Sequence, residues 1–388
     1  MRQKHWIIVV VALVLVAGVV WYLKRPPRSD APIVIGAVFP LSGPPAQYGR
    51  YMQEGTELAL DDAISQGIVK PSQVRLVFED GAADPAKSVT AFRKLVDVDH
   101  PVAVALATSG VILAIKPIAN QSHVVILNGS AISPEIEDAD DFSFSFLSDA
   151  RVEGAFLADF AVKSGRKKMG IIYRNDASGT AFRDAFKARL QSLGASLVYE
   201  DAHRPGENDF RPFLPKIAAR QDIDALFIAS FGPEAAAFVR QAREQGVQTQ
   251  LLAYTTFYSP KVLELAGPAA NGVFFSAPMF DPASTQPSVE ELRGKIKRKY
   301  GHREVNYYHA VHYDATMIVL HAIAAGARDG DAVRAYLAKL KEYDGKSGKI
   351  TFGPNGSADV PLRMYTVTNG KFVPLTDPQG EPASTQAR

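Results

Sequence analysis

From Ile33 onward the chain alternates short β-branched apolar runs with longer stretches whose apolar residues recur every three or four positions. Ile33 to Val38 is continuous and apolar, which predicts a buried strand. The run from Gln47 to Asp62 spaces Met52, Leu58 and Ala59, with Ala63 just beyond, as on one helix face, with acidic residues between them. Strand, tight Ser-Gly-Pro-Pro turn and helix make the first half of a βαβ unit. The same alternation continues through strands at 73–80, 102–107 and 124–128 and helices at 84–98 and 109–122. Asp84 and Pro85 stand at the cap and first position of the first of these helices. In open α/β sheets ligands bind at the carboxyl ends of such strands, so the loop "PLSGPPAQYG" is a candidate site wall. It carries no phosphate-binding glycine motif.

A second series opens at Arg151. Helices are predicted at 151–164, 180–193, 210–221 and 233–246, and strands at 168–174, 196–200, 225–230, 249–255 and 272–278. Alternation of this kind, in duplicate, predicts two doubly wound parallel-sheet lobes. The last third adds helices at 286–300, 307–325 and 331–341, then strands joined by Gly/Asn turns. It does not start a third domain: the helices after residue 280 have to pack on one of the two existing sheets, so the chain crosses between the lobes more than once. The expected crossovers lie near 148–152, 276–280 and 350–362. Lobe one then comprises 32–149 and 279–355, lobe two comprises 150–278 and 356–376, and the polar tail 377–388 is expected to be disordered.

The N-terminus changes the expected compartment. The basic "MRQKH" precedes an uncharged run from Trp6 to Leu23. At about 1.5 Å per residue it reaches roughly 27 Å, close to a bilayer's hydrocarbon thickness. An uncleaved membrane anchor is the favoured expectation, against a secretory signal cut after Ala31. Residues 1–31 are assigned to that segment. Either way the globular part lies outside the cytoplasm. The 388 residues include no cysteine, which removes disulfides, thiolate metal sites and cysteine nucleophiles. A formal net charge of +2 offers no electrostatic footprint for nucleic acid.

Several stretches, in this order and spacing, resemble the type I periplasmic solute-binding proteins of the leucine/isoleucine/valine-binding family. They are "GAVFPLSGPPAQYG", "VFEDGAADPAKSV", "ATSGVILAIKPIANQSHVVILNGSAISPEI", "IDALFIASFGPEAAAFVRQAREQGV", "YHAVHYDA" and "GKITFGPNG". The resemblance covers roughly residues 33–375. It implies an α/β fold of two lobes joined by three crossovers and closing on a small solute, with ABC permease subunits as partner, no cofactor and a monomeric chain. A sensory receptor domain on the same fold is the alternative. Carried over position by position, Tyr48 lies against the ligand's side chain. Ser109, with the Gly110 N–H at a helix start, holds its carboxylate. The Ser130 carbonyl meets an ammonium, and Phe231 stands where the family often has tyrosine.

Three positions depart from that pattern. Ile132 replaces a second carboxylate-binding hydroxyl, Ser178 falls where a tyrosine is expected, and neutral Thr255 falls where an acid would pair an α-ammonium. An unpaired ammonium in a closed cleft costs several kcal/mol, so weakened selection for free α-amino acids is expected unless Glu234 or Asp176 substitutes. Chemistry of other kinds finds little footing. Around His309, His312 and Asp314 the stripe Tyr308, Val311 and Ala315 reads as a packed helix face rather than a metal site, and Asp80 with Asp84 is not read as an acid–base pair, since Asp84-Pro85 is better explained as a helix cap. No GxSxG elbow occurs, so catalysis is not expected.

Overall fold

The structure is a computed structural model and describes residues 31–138 and 140–376. The apolar run 6–23 and the tail 377–388, for which the sequence predicts an anchor and disorder, lie outside the described residues. Among the described residues no helix is long and apolar enough to cross a membrane.

Lobe one is built on β1 (Ile33–Phe39), flanked in parallel by β2 (Val74–Asp80) and β3 (Ala103–Leu106). β4 (Val125–Asn128) and β5 (Ser143–Ser145) extend the sheet to the order β2-β1-β3-β4-β5. Lobe two has five parallel strands: β6 (Lys168–Arg174), β7 (Ser196–His203), β8 (Ala225–Ala229), β9 (Gln250–Ala253) and β10 (Phe274–Pro278). A small antiparallel sheet of β11 (Glu342–Gly345), β12 (Gly348–Phe352) and β13 (Ala358–Asp359) packs on lobe one. β14 (Leu362–Thr368) and β15 (Lys371–Pro374) then join lobe two antiparallel, giving β15-β14-β10-β9-β8-β6-β7. Asn369 and Gly370, at φ 51° and 68°, turn that last hairpin, as a two-residue loop with both φ positive requires. The chain passes between the lobes after β5, after β10 and between β13 and β14.

Helix Tyr307–Ala324 is buried on almost every side and carries much of lobe one's core. It packs against helix Ala46–Ser65, where Gly55 permits contact: a Cβ there would fall 2.2 Å from the His309 carbonyl oxygen. Two predicted helices come out shorter. The segment 210–221 is helical only at Leu214–Ala218, because the Phe210 ring packs into the core beside Phe238 and its N–H is taken by Gln241 at 2.7 Å. The segment 331–341 stops at Leu337. Asp84 caps its helix as expected, donated to by the Lys87 N–H at 2.8 Å. That helix ends at Lys94 and continues as one wider turn, Leu95–Asp99.

Candidate functional site

The carboxyl ends of both parallel sheets face one another, and the seam between them holds a narrow cavity with walls from both lobes. Its free space is about 20 Å3 for the centre of a water-sized sphere, which admits about one water molecule rather than a solute. The lobes are therefore drawn together. Several hydrogen bonds cross directly between them, Tyr258 Oη to Asp281 Oδ1 at 3.3 Å among them. Tyr48 Oη donates to the Thr256 carbonyl at 3.2 Å, Ser178 Oγ to Ser109 Oγ at 3.0 Å, and Asn306 Nδ2 to the Tyr258 carbonyl at 3.2 Å.

Of the residues expected at the site, the structure brings Ser130, Ile132, Ser178, Phe231 and Thr255 together on the cavity wall. Ser130 is aimed by Asn128, whose Oδ1 accepts from the Ser130 and Ala131 N–H groups at 3.2 and 2.7 Å. The Ser130 hydroxyl is buried yet has no hydrogen-bond partner. Phe231 precedes helix Gly232–Glu244, and the Arg174 guanidinium lies 4.3 Å over its ring.

Tyr48, Ser109 and Gly110 are placed elsewhere. Tyr48 stands behind the wall, buried, its ring edge-on to Tyr308 at 5.6 Å, and burial pushes its phenol pKa well up. Ser109 opens its helix, but Thr108 occupies the cap position, at φ 68°. That conformation is strained for a β-branched residue, and it lies on the cavity wall. The Ser109 oxygen is already used: it accepts the backbone N–H groups of Ile132 and Ser133 at 3.2 and 3.1 Å, besides the bond from Ser178. Gly110 looks toward Pro85.

The main site residue that sequence reasoning missed is Glu153. It lies in the first turn of helix Ala150–Lys163, only 2% exposed, and lines the cavity. Its Oε1 accepts from the Thr255 N–H at 3.0 Å, Thr255 Oγ1 at 2.6 Å and Ser276 Oγ at 2.6 Å. Burial raises its pKa, opposed by those hydrogen bonds. The acids considered as substitutes are committed elsewhere. Glu234 accepts from the Gly206 and Phe231 N–H groups and lies 3.6 Å from Arg174; Asp176 caps its helix and pairs with the same arginine at 2.6 Å. Tyr308, read from sequence only as helix packing, also lines the cavity.

The histidines and neighbouring acids find local partners or none. His309 meets Glu54 at 3.0 Å. Asp314 accepts from the Lys346 and Ser347 N–H groups, and burial raises its pKa to about 6. His312 is buried without a partner at either nitrogen, and burial lowers its pKa to about 3, so it is neutral. Asp80 accepts from the Leu41 and Ala82 N–H groups and fixes the loop after β1.

Two doubly wound lobes, three crossovers and a cavity at the seam define the type I periplasmic binding protein class. The family model described as "Periplasmic binding protein" matches residues 32–371, and the chain belongs to that family. The Leu/Ile/Val-binding protein BraC3 of Rhizobium johnstonii is 26% identical over 366 residues, covering 92% of this chain and 98% of that protein. The crystal structure of the leucine binding protein LivK from Thermotoga maritima superposes with a TM-score of 0.80 at 26% identity, over 88% of this chain and 97% of that one. A solute binding protein of an ABC transporter from R. palustris, in complex with benzoate, has the same fold at a TM-score of 0.80 and 19% identity, over 91% and 97% of the two chains.

Proposed function

We propose that the chain is the extracytoplasmic solute receptor of an ABC importer, capturing a small polar solute between its lobes and presenting the closed form to permease subunits. The observation that carries this reading is the seam cavity, whose walls come from two bodies joined by crossovers that can act as a hinge. Lobe one is taken as 32–149 with 279–360, and lobe two as 150–278 with 361–376; the last boundary moves from the expected 355/356 because β13 pairs with β12 and Ala358 and Val360 pack in the lobe-one core. Ser130, Ile132, Ser178, Phe231 and Thr255 form the contact surface. Tyr48 and Ser109, with Gly110 beside it, stiffen closure from behind. The receptor acts as a monomer, held at the membrane by residues 6–23.

Thermal-shift and calorimetric titration across amino acids, amides and small carboxylic acids tests the reading, since a ligand binding only the folded state raises Tm by mass action. Small-angle scattering should show the lobes closing on the best ligand. A panel without any binder, or binding without closure, would count against it. For the tether, recovery of a soluble periplasmic protein beginning near Pro32 would refute retention by residues 6–23.

A further inference from the structure

The cavity carries one ionisable carboxyl and no compensating charge. Among its lining residues there is no Lys, Arg or His. The nearby cation, Arg174, lies over the Phe231 ring and is held by Asp176 and Glu234. Glu153 takes part in no ion pair among the described residues. Its three donors all reach Oε1, so Thr255 and Ser276 fix the carboxyl's orientation while Oε2 receives none of them. Across the seam, the Ser130 hydroxyl is buried without a partner. A solute lying between the lobes thus meets a rigidly held acid on one side and an unused hydroxyl on the other.

We infer that Glu153 is the group that selects the solute, pairing with a ligand ammonium and excluding simple carboxylic acids. This deepens the solute-receptor reading and rests on it. It also reverses the expectation drawn from Thr255. The neutral threonine is the residue that orients an acid supplied by another element, the first helix of lobe two, so an α-ammonium does not go unpaired. The physical ground is desolvation. A buried carboxylate with a cationic partner is compensated, whereas a ligand carboxylate forced beside it adds a second uncompensated charge. Simple aliphatic and aromatic acids fail on that ground even where their shape fits. Amino acids and amines pass.

The test uses matched ligands on the full chain at pH 7 by calorimetry: leucine, 4-methylpentanoate and 3-methylbutylamine, and phenylalanine, 3-phenylpropanoate and 2-phenylethylamine. In at least one set the ammonium-bearing members should bind about 100-fold tighter than the plain acid, as loss of one partner of a buried pair predicts. Glu153→Gln keeps an oxygen for Thr255 and Ser276 and should erase that gap; Glu153→Asp should preserve its sign. The wild-type comparison stands even if a variant folds poorly. A plain acid binding as well as its amino counterpart, or Glu153→Gln keeping full leucine or phenylalanine affinity, would overturn the role of Glu153 and leave the receptor reading intact. Failure of all six ligands, together with a failed wider panel, would instead overturn the receptor reading and this inference with it.

Discussion

The two walls of the seam are finished to different degrees. On the lobe-two side the polar groups satisfy one another before any solute arrives: Thr255 and Ser276 hold Glu153, and Ser178 is bonded across to Ser109. On the lobe-one side Ile132 is apolar and the Ser130 hydroxyl is unpaired. Substitutions on the lobe-two wall should therefore disturb fold and affinity together, while those on the lobe-one surface should touch affinity alone.

The strongest challenge to that contrast comes from beneath the lobe-one surface. Ser109→Ala leaves two buried N–H groups, on Ile132 and Ser133, without an acceptor, and each orphan costs about 1–3 kcal/mol. Denaturant unfolding should show that loss, with affinity changed less than about tenfold, as expected when net hydrogen-bond contributions are near 1 kcal/mol. A loss of affinity with unchanged stability would return Ser109 to the direct ligand contact that the sequence suggested. Thr255→Val removes the hydroxyl donor to Glu153 and should cost about 1.5–3 kcal/mol of stability as well as weakening the best ligand. Stability unmoved by this change would mean that the lobe-two wall is not preassembled.

The walls should also differ in pH response. Glu153 has a raised pKa in the fold, so the folded state binds its proton more tightly than the unfolded chain does. That contribution is fully present below the ordinary glutamate value and is lost as pH rises through the raised one. Glu137, buried near Asp149 at the first crossover, is raised to about 7 by desolvation and by that neighbour, and has the same sign. Unfolding curves from pH 4 to 8 should be flatter for Glu153→Gln than for the wild type. Parallel curves would remove the titrating wall. Ser130→Ala should leave stability within about 0.5 kcal/mol, as for a side chain without partners, and weaken the best ligand several-fold. Tyr48→Phe, which keeps the ring against Tyr308, should have the smallest effect, about 1 kcal/mol of closure, read as a wider mean separation of the lobes in scattering.

Most of the fold was legible because period and punctuation agree in this chain. The β-branched runs became parallel strands, Asp84-Pro85 became a capped helix start, and Asn369-Gly370 became a hairpin turn. The helix predicted across 210–221 failed because Phe210 is held by a distant helix through Gln241, a tertiary contact that local pattern does not encode. The site was legible in part. Ser130, Ile132, Ser178, Phe231 and Thr255 sit on loops or at helix starts whose order along the chain fixes their place at the strand ends. Glu153 was not, since an acid in the first turn of a helix reads most simply as a complement to the helix dipole. Only the fold brings it against Thr255, 102 residues away. Ser109 was placed correctly at its helix start, yet the loop that ends at Ser133 consumes its oxygen.

The bonds that Tyr48, Ser178 and Asn306 make between the lobes give the receptor a resting bias. At roughly 1 kcal/mol net each, they favour the shut shape by about 3 kcal/mol over what it would have without them, close to a 150-fold change in population. A solute then need not supply all the energy of closure, so apparent affinity rises as the competent fraction rises. The same bias sets a noise floor. On the proposed importer reading, a transporter that recognised only the shut shape would meet unloaded receptors, and the ratio of loaded to unloaded encounters would limit how faithfully its ATP consumption tracked solute supply. Tuning Tyr48, Ser178 or Asn306 would shift that balance between sensitivity and waste without touching a single atom of the solute.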